Sequence, residues 1–588
     1  MGAEGYVPGG RTTQWQTPVP PPAPPFVPGP PPSAAPRVPG STPATSEATR
    51  LLCAGVYLDH VFRDRVIEEL AEHEHRPVAP SLGIDAVPVL AHALRARRRD
   101  VLTALALLAV WVGFPLLSAL VSASATSFDP FSGLLPLGLS GLLSVIGASL
   151  YGWVCLALWA ACKVAGRRVG GWATDGTRNA VGPGRRRFGA ALTFSARMFA
   201  VYYWIVAVAS LFALQFGMVV LPLLVAAVTD WPRRWTARTF RTELRPEVFA
   251  ARPRPPMPPS PRYQRIVEAI DREQYSPLTV YDPFRPFIGA GVLTYGPWSF
   301  VLELKRRKDG RAADGGDMTS RQILDLVKPQ LERLRVSAGT SRDRLRELEV
   351  EECVFLPAGV SRERLATEYR PESVARHLAE AVEEGGEARR LFLRVRVGAW
   401  HEQVVTTVLV RVHTQGGMLV LEFVPHVLPP VRRDFRQADA IAAGRDDGFA
   451  RVALRALVAS PTANVEAGIS ALRVLRDALR AWLTNPSERY PEGPVVSVRE
   501  LGSGDAMQLF QDLDVSRYVK TIQDRVVNGV REALRSRGYE TGEFEQQVVN
   551  VNGNGVFIGG SMSGGAIATG AQATARHTEG TGRDQEKP

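Results

Sequence analysis

The chain has 588 residues, 45% of them hydrophobic, with mean hydropathy near zero, a formal charge of +11 and a pI near 9.7. That length accommodates several domains, and the average conceals a blend of apolar and polar segments. Only six of the 70 basic residues are lysines, the bias of a GC-rich genome, so the basicity makes no case for a specific nucleic-acid partner. The four cysteines, Cys53, Cys155, Cys162 and Cys353, are scattered with no CxxC pair, so neither a disulfide framework nor a zinc site is indicated.

Residues 1–45 contain PVPPPAPPFVPGPPPSAAP, whose fixed φ angles and missing N–H groups oppose a packed core, so a disordered spacer is expected. No secretory h-region precedes it, and the N-terminus is expected to remain cytoplasmic. Over residues 46–100, ATRLLCAGVYLDHVFRDRVIEELAEH places apolar residues at helical spacing, the pattern of an amphipathic helical module near the inner leaflet. His73 and His75 stand two apart and would point to different sides of a helix, so a solvated surface is expected there rather than a metal site.

Residues 101–230 hold three long uncharged runs, with spans expected at about 101–121, 134–162 and 198–229, against roughly 20 apolar residues needed to cross a bilayer. Arg95, Arg97, Arg98 and Arg99 border the first run, and Arg185, Arg186, Arg187 and Arg197 follow the second. Arginine-rich flanks stay inside, so the first span enters from the cytoplasm and the second returns to it. The third run has arginines at both ends, which favours a hairpin turning near Gln215-Phe216-Gly217 over one overlong helix. Within the second run Ser140, Ser144, Ala148 and Gly152 recur every four residues. They form a stripe of small side chains on which a neighbouring span, or a second copy, can pack.

Residues 231–261 form a basic, proline-rich linker ending in RPRPPMPPSPR. A soluble domain over 262–541 follows. Helices are expected at Tyr263–Tyr275, Ser320–Val336, about Glu372–Glu384, Phe449–Ala459, Ala463–Leu483 and Asp514–Arg537. Strands are expected at Trp298–Leu304, LEVEECVFL, LFLRVRVGAW, VVTTVLVRVH, MLVLEFVPHV and VVSVREL. This is an α+β domain with an antiparallel meander covered on one face.

The chain has no phosphate loop, dinucleotide fingerprint, nucleophile elbow or HExxH motif, and no cofactor or catalytic residue is assigned. The most unusual segment is YDPFRPFIGAGVLTYGPWSF, with Tyr281, Asp282, Arg285 and Trp298 as a candidate ligand turn. An aromatic-capped turn feeding a core strand needs the same residues. PFIGAG and WSF, with LLCAGVYLD nearer the N-terminus, resemble uncharacterised multi-span membrane proteins of actinobacteria. That resemblance covers the helical module, the spans and the start of the soluble domain, and implies an architecture without an activity.

Residues 542–588 read as a low-complexity Gly/Asn/Ser-rich tail. It contains VVNVNGNGVFIGGSMSGGAIATG, in which Val556, Ile558 and Ile567 could bury themselves in a self-stacked zipper. Val556-Phe-Ile-Gly559 resembles the core of the RIP homotypic interaction motif and of bacterial amyloid signalling motifs, without their glutamine and later asparagine. A flexible glycine-rich tail is the competing reading.

The expectation is a multi-pass cell-membrane protein whose partners are the lipid bilayer and, through the spans or the tail, copies of itself. It anchors a cytoplasmic α+β domain as a scaffold or signalling component. The rivals are a membrane-bound enzyme acting on lipid or envelope precursors, and a channel or transporter.

Overall fold

The computed structural model describes residues 43–125, 138–165, 183–212, 216–251, 254–307, 317–340, 343–359, 368–386, 388–399, 403–444, 449–483 and 492–552. Residues 1–42 and 553–588, and with them most of the two expected tails, lie outside these.

The first helices are α1 (Glu47–Leu58) and α2 (His60–Ile67). Ser46 accepts the Thr49 amide at 3.2 Å and Asp59 the Val61 amide at 2.9 Å, so each start has a side-chain cap for donors that a helix leaves orphaned. Next come α3 (Ala86–Ala125), α4 (Gly138–Val164), α5 (Pro183–Phe212) and α6 (Gly217–Thr242). Three helical stretches among the described residues, Ala86–Ser118, Ile146–Val164 and Arg187–Phe212, are long and apolar enough to cross a membrane. That composition fits a membrane protein. The third apolar run is two helices, α5 and α6, which break around Phe216, where the uncharged sequence alone allowed one. Residues 231–242, assigned to the linker by their charge, continue α6 into the helical module, because Phe240 and Leu244 are buried there beside α1.

After α7 (Pro246–Phe249) comes α8 (Pro261–Glu273), which turns Ile266 and Ile270 into the same module. The proline-rich stretch between them is no free spacer. Arg254 pairs with Asp85 at 2.7 Å and with Asp271 at 2.9 Å, and Met257 packs on the module core. Burial holds the Asp85 carboxyl above its usual range despite the attraction of Arg254.

The sheet has seven strands, β1 (Leu278–Tyr281), β2 (Val292–Leu293), β3 (Trp298–Glu303), β4 (Glu349–Pro357), β5 (Arg390–Ala399), β6 (Val404–Gln415) and β7 (Met418–Leu428). The order is β1-β4-β5-β6-β7, with β2 and β3 both on the far side of β7. β4 to β7 are the expected antiparallel meander, and Gly416 and Gly417 turn β6 into β7 at φ of 58° and 76°, as a two-residue hairpin requires. The sheet as a whole is mixed, because β1 pairs parallel to β4. It is also covered on both faces, which a meander pattern does not foretell.

One face packs against α9 (Ser320–Ser337) and α14 (Leu509–Ser536), burying Val327, Leu331, Val395, Leu421, Ile522 and Val526. The other holds Cys353, Phe355, Phe392 and Leu409 under Phe287. The remaining helices are α10 (Pro371–Ala381), α11 (Gln437–Ala443), α12 (Phe449–Leu483), α13 (Val498–Leu501) and α15 (Gly542–Asn552).

Three local expectations change. VVSVREL was read as a strand, but Ser497 accepts the Arg499 amide and starts the helical turn α13, whose Arg499 is fully buried on the carbonyls of Gln403 and Pro429. Pro461, taken as a break, sits inside the single helix α12, where Ser460 and Thr462 donate to the carbonyls of Leu457 and Ala459. The low-complexity tail starts later than residue 542, since Phe544 of α15 is buried against Phe300 with ring centres 5.7 Å apart.

Candidate functional site

Tyr281 ends β1 and packs on Phe355 at 6.2 Å between ring centres. The Asp282 carboxylate accepts the Phe284 amide at 2.8 Å and the Arg285 amide at 3.3 Å, so its role here is to tie the turn. Arg285 is exposed. Phe287 then plugs the sheet face, with ring centres 5.8 Å from Phe355, 5.7 Å from Phe392 and 5.1 Å from His426. Burial among these rings pushes the His426 imidazole down to about 4.

The glycines that follow have a backbone reason. Gly289 and Gly291 adopt φ of 98° and 97°, and their amides donate to Glu500 Oε1 at 2.7 and 3.0 Å. A Cβ at Gly291 would stand 2.3 Å from the Val427 carbonyl oxygen. Burial raises the Glu500 carboxyl above its usual range, against the pull of these two amides. Trp298 is elsewhere. It lies in β3, stacked between Phe300 and Phe423 with ring centres 5.4 and 5.2 Å away. The sheet order therefore brings Tyr281, Asp282 and Arg285 into one turn and puts Trp298 on the opposite side of the sheet.

In the small-residue stripe of α4, Ala148 is buried and a Cβ on Gly152 would meet Trp111 of α3 at 3.6 Å. Ser140 and Ser144 lie on the same helix. Val556, Ile558 and Ile567 fall outside the described residues.

The contact that sequence reasoning missed is made by α12. Assigned to the soluble domain, it packs instead against α3, α4 and α6. Trp111 Nε1 donates to Asn464 Oδ1 at 3.1 Å, and the Tyr151 hydroxyl and Ser460 Oγ share a hydrogen bond of 3.2 Å. Trp159 Nε1 donates to Glu466 at 3.0 Å, and Lys163 stands 3.7 Å from the same carboxylate. Trp111 stacks on Tyr151, which leans on Tyr203, whose hydroxyl donates to the Met218 carbonyl at 2.7 Å. A layer of aromatic donors on the apolar helices thus meets a row of acceptors on α12. The signal was in the sequence, because Ala456–Leu472 carries a single charge, Glu466.

The module joins both regions. Arg50 is fully buried and reaches Glu47, Asp439 at 2.7 Å and the Leu244 carbonyl at 2.8 Å, bridging α1, α11 and the end of α6. Asp59 pairs with Arg432 at 2.5 Å. Burial opposes ionisation of Asp59, but the guanidinium and the capped amides outweigh it and hold the carboxyl below its usual range. Among the described residues no group of three or more His, Cys, Asp or Glu side chains is placed to hold a metal ion.

Residues 297–564 match the family model of the AbeC-like domain. The match begins one residue before β3 and takes in β3 to β7, α12 and α14, leaving out β1, β2, the helical module and α3 to α6. Of the segments LLCAGVYLD, PFIGAG and WSF, only WSF at Trp298–Phe300 lies within the match. No curated protein and no solved structure matches the chain. The docked helix α12 accordingly lies within the AbeC-like segment, while its partners on the apolar bundle lie outside that segment.

Proposed function

We propose that the protein is an integral membrane protein that anchors a cytoplasmic α+β domain and serves as a scaffold or signalling component, with α12 as the element that couples bundle to sheet. The observation that carries this reading is the row of hydrogen bonds from Trp111, Tyr151 and Trp159 to Asn464, Ser460 and Glu466. A polar group in an apolar setting is costly to leave unpaired, so a shift of α12 must be followed by the helices it touches. The arginine borders of α3 and α5 support a cytoplasmic domain.

The test is labelling with a membrane-impermeant maleimide of Arg262→Cys in intact cells, with Cys162→Ala to remove the half-exposed native thiol. Label should enter only after permeabilisation. Labelling of intact cells would place the domain outside and refute the assignment.

A further inference from the structure

The arginine border of α3 holds a guanidinium that the surrounding helices leave without an acceptor. Arg99 stands just before the uncharged run that starts at Val101. Its planar head lies over the indole of Trp235 on α6 and 5.7 Å from the ring centre of Tyr57 on α1. Those contacts engage the face of the guanidinium and leave its in-plane N–H groups to find partners of their own. Nη1 is buried and has none. The two carboxylates that act on Arg99 are already committed, Glu243 to Arg95 and Asp100 to Arg63, both at 2.8 Å. A half-buried positive charge is thereby left uncompensated, where such a charge ordinarily carries a partner.

A second orphan stands one turn deeper on α3. Thr103 is 4% exposed, and its Oγ1 has no hydrogen-bond partner. Threonines of the neighbouring helices behave otherwise: Thr193 on α5 and Thr229 and Thr239 on α6 donate to the carbonyl four residues back, at 2.6, 2.8 and 3.0 Å. Residues four apart share a helix face, so Arg99 and Thr103 are two unsatisfied donors about 6 Å apart along the axis.

The surroundings are layered like a bilayer border. Trp231, Trp235 and Arg238 recur at helical spacing on one face of α6, with Trp231 50% exposed and Arg238 exposed. On α3, Leu102 and Leu105 are exposed just beyond Arg99. Tryptophan beside arginine, followed by bare apolar surface, is the composition of the headgroup level. Both helices reach that level independently, since the uncharged run of α3 starts at Val101 and that of α6 ends at Thr229.

We propose that Arg99 and Thr103 form a binding site for one anionic phospholipid of the leaflet at the arginine border. The Arg99 N–H groups donate to the phosphate. The Thr103 hydroxyl donates to an ester carbonyl of the glycerol, which lies deeper in a leaflet than the phosphate, and the acyl chains run over Leu102, Leu105 and Trp231. A soluble phosphate ester would leave that apolar rim bare. The site rests on the reading of the apolar helices as spans.

The test titrates the detergent-purified full chain with phosphatidylglycerol and reads bound lipid by native mass spectrometry. One phosphatidylglycerol should be held more tightly than further copies and more tightly than phosphatidylcholine. Arg99→Gln should weaken that binding about tenfold or more, because a charge-assisted hydrogen bond is lost, and Thr103→Val should weaken it about threefold. Arg98→Gln removes the same charge from an exposed neighbour and should change it by less than about twofold. Equal effects of Arg99→Gln and Arg98→Gln overturn the site. Arg99→Lys keeps a charge over the Trp235 ring and gives up the fork of donors, so it guards against a folding defect. Undiminished binding in Arg99→Lys and Thr103→Val also overturns the site.

Excess inorganic phosphate should leave the phosphatidylglycerol in place, and displacement would make free phosphate the ligand and refute the lipid. A nitroxide at Leu108→Cys in nanodiscs, with Cys162→Ala, reports the spans separately. If oxygen reaches it in preference to a water-soluble nickel complex while the Arg99 variants bind lipid undiminished, the site fails and the spans stand. If nickel reaches it, the spans fail and the site with them.

Discussion

Two long helices of the AbeC-like segment, α14 and α12, solve opposite problems. On α14, Val515, Val519, Ile522, Val526 and Val530 face the sheet, and Arg517, Lys520, Asp524, Arg525 and Glu532 face outward. On α12 the hydrogen-bonding residues face inward and leucines face out. The first is held by removing apolar area from water. The second is held by pairing its polar groups with aromatic side chains of the apolar helices. Helices with similar arginine content can therefore be held by opposite kinds of contact, and which face carries the polar residues tells them apart.

The largest test of this contrast is a matched truncation. Ile522→Ala, at a fully buried position, should cost about 2–5 kcal/mol in urea unfolding of the detergent-solubilised protein. Leu472→Ala on the outward face of α12 should cost no more than about 0.5 kcal/mol in the same assay. Equal losses would mean that α12 buries its leucines after all.

The second test separates the regions by pH. His426 is buried under Phe287 with its imidazole pushed down to about 4, whereas an unfolded histidine titrates near 6.5. The unfolded chain then takes up its proton first, so this contribution is intact above about pH 6.5 and is lost as pH falls toward 4, up to about 3 kcal/mol. Hydrogen exchange in β7 should accelerate over that window more than in α4, and His426→Phe should remove much of the difference. A flat response of β7 between pH 6.5 and 4 would disprove the buried neutral imidazole.

The smallest effect concerns the docking row itself. Trp111→Phe removes one hydrogen bond to Asn464 and keeps the ring stacked near Tyr151, at a cost of about 1 kcal/mol. Amide protection in α12 should drop about fivefold, with that in α14 unchanged. If both helices respond alike, the coupling does not run through this contact.

Much of the fold is legible in local pattern. Alternation in LFLRVRVGAW, VVTTVLVRVH and MLVLEFVPHV marks β5, β6 and β7 within two residues of their ends, and charge-free length marks the three apolar helices. The two-residue strand β2 and the four-residue β1 are too short to carry a period, and their pairing is set by strands far away in sequence. The candidate turn was visible as glycine, proline and aromatics, but its purpose was not. Phe287 closes the second face of a sheet, and the backbone of Gly289 and Gly291 caps a carboxylate more than 200 positions later.

What the sequence determined by itself is set by neighbours along the chain: apolar length, arginine borders, strand alternation, and caps such as Ser46 and Asp59. Only the tertiary structure decided that α12 leaves the sheet for the bundle and that α6 runs on into the module. It also decided that Tyr281 and Trp298 stand at opposite sides of one sheet. Those outcomes depend on which distant surface can satisfy Asn464, Phe240 or Glu500, and a local pattern does not encode a partner hundreds of residues away.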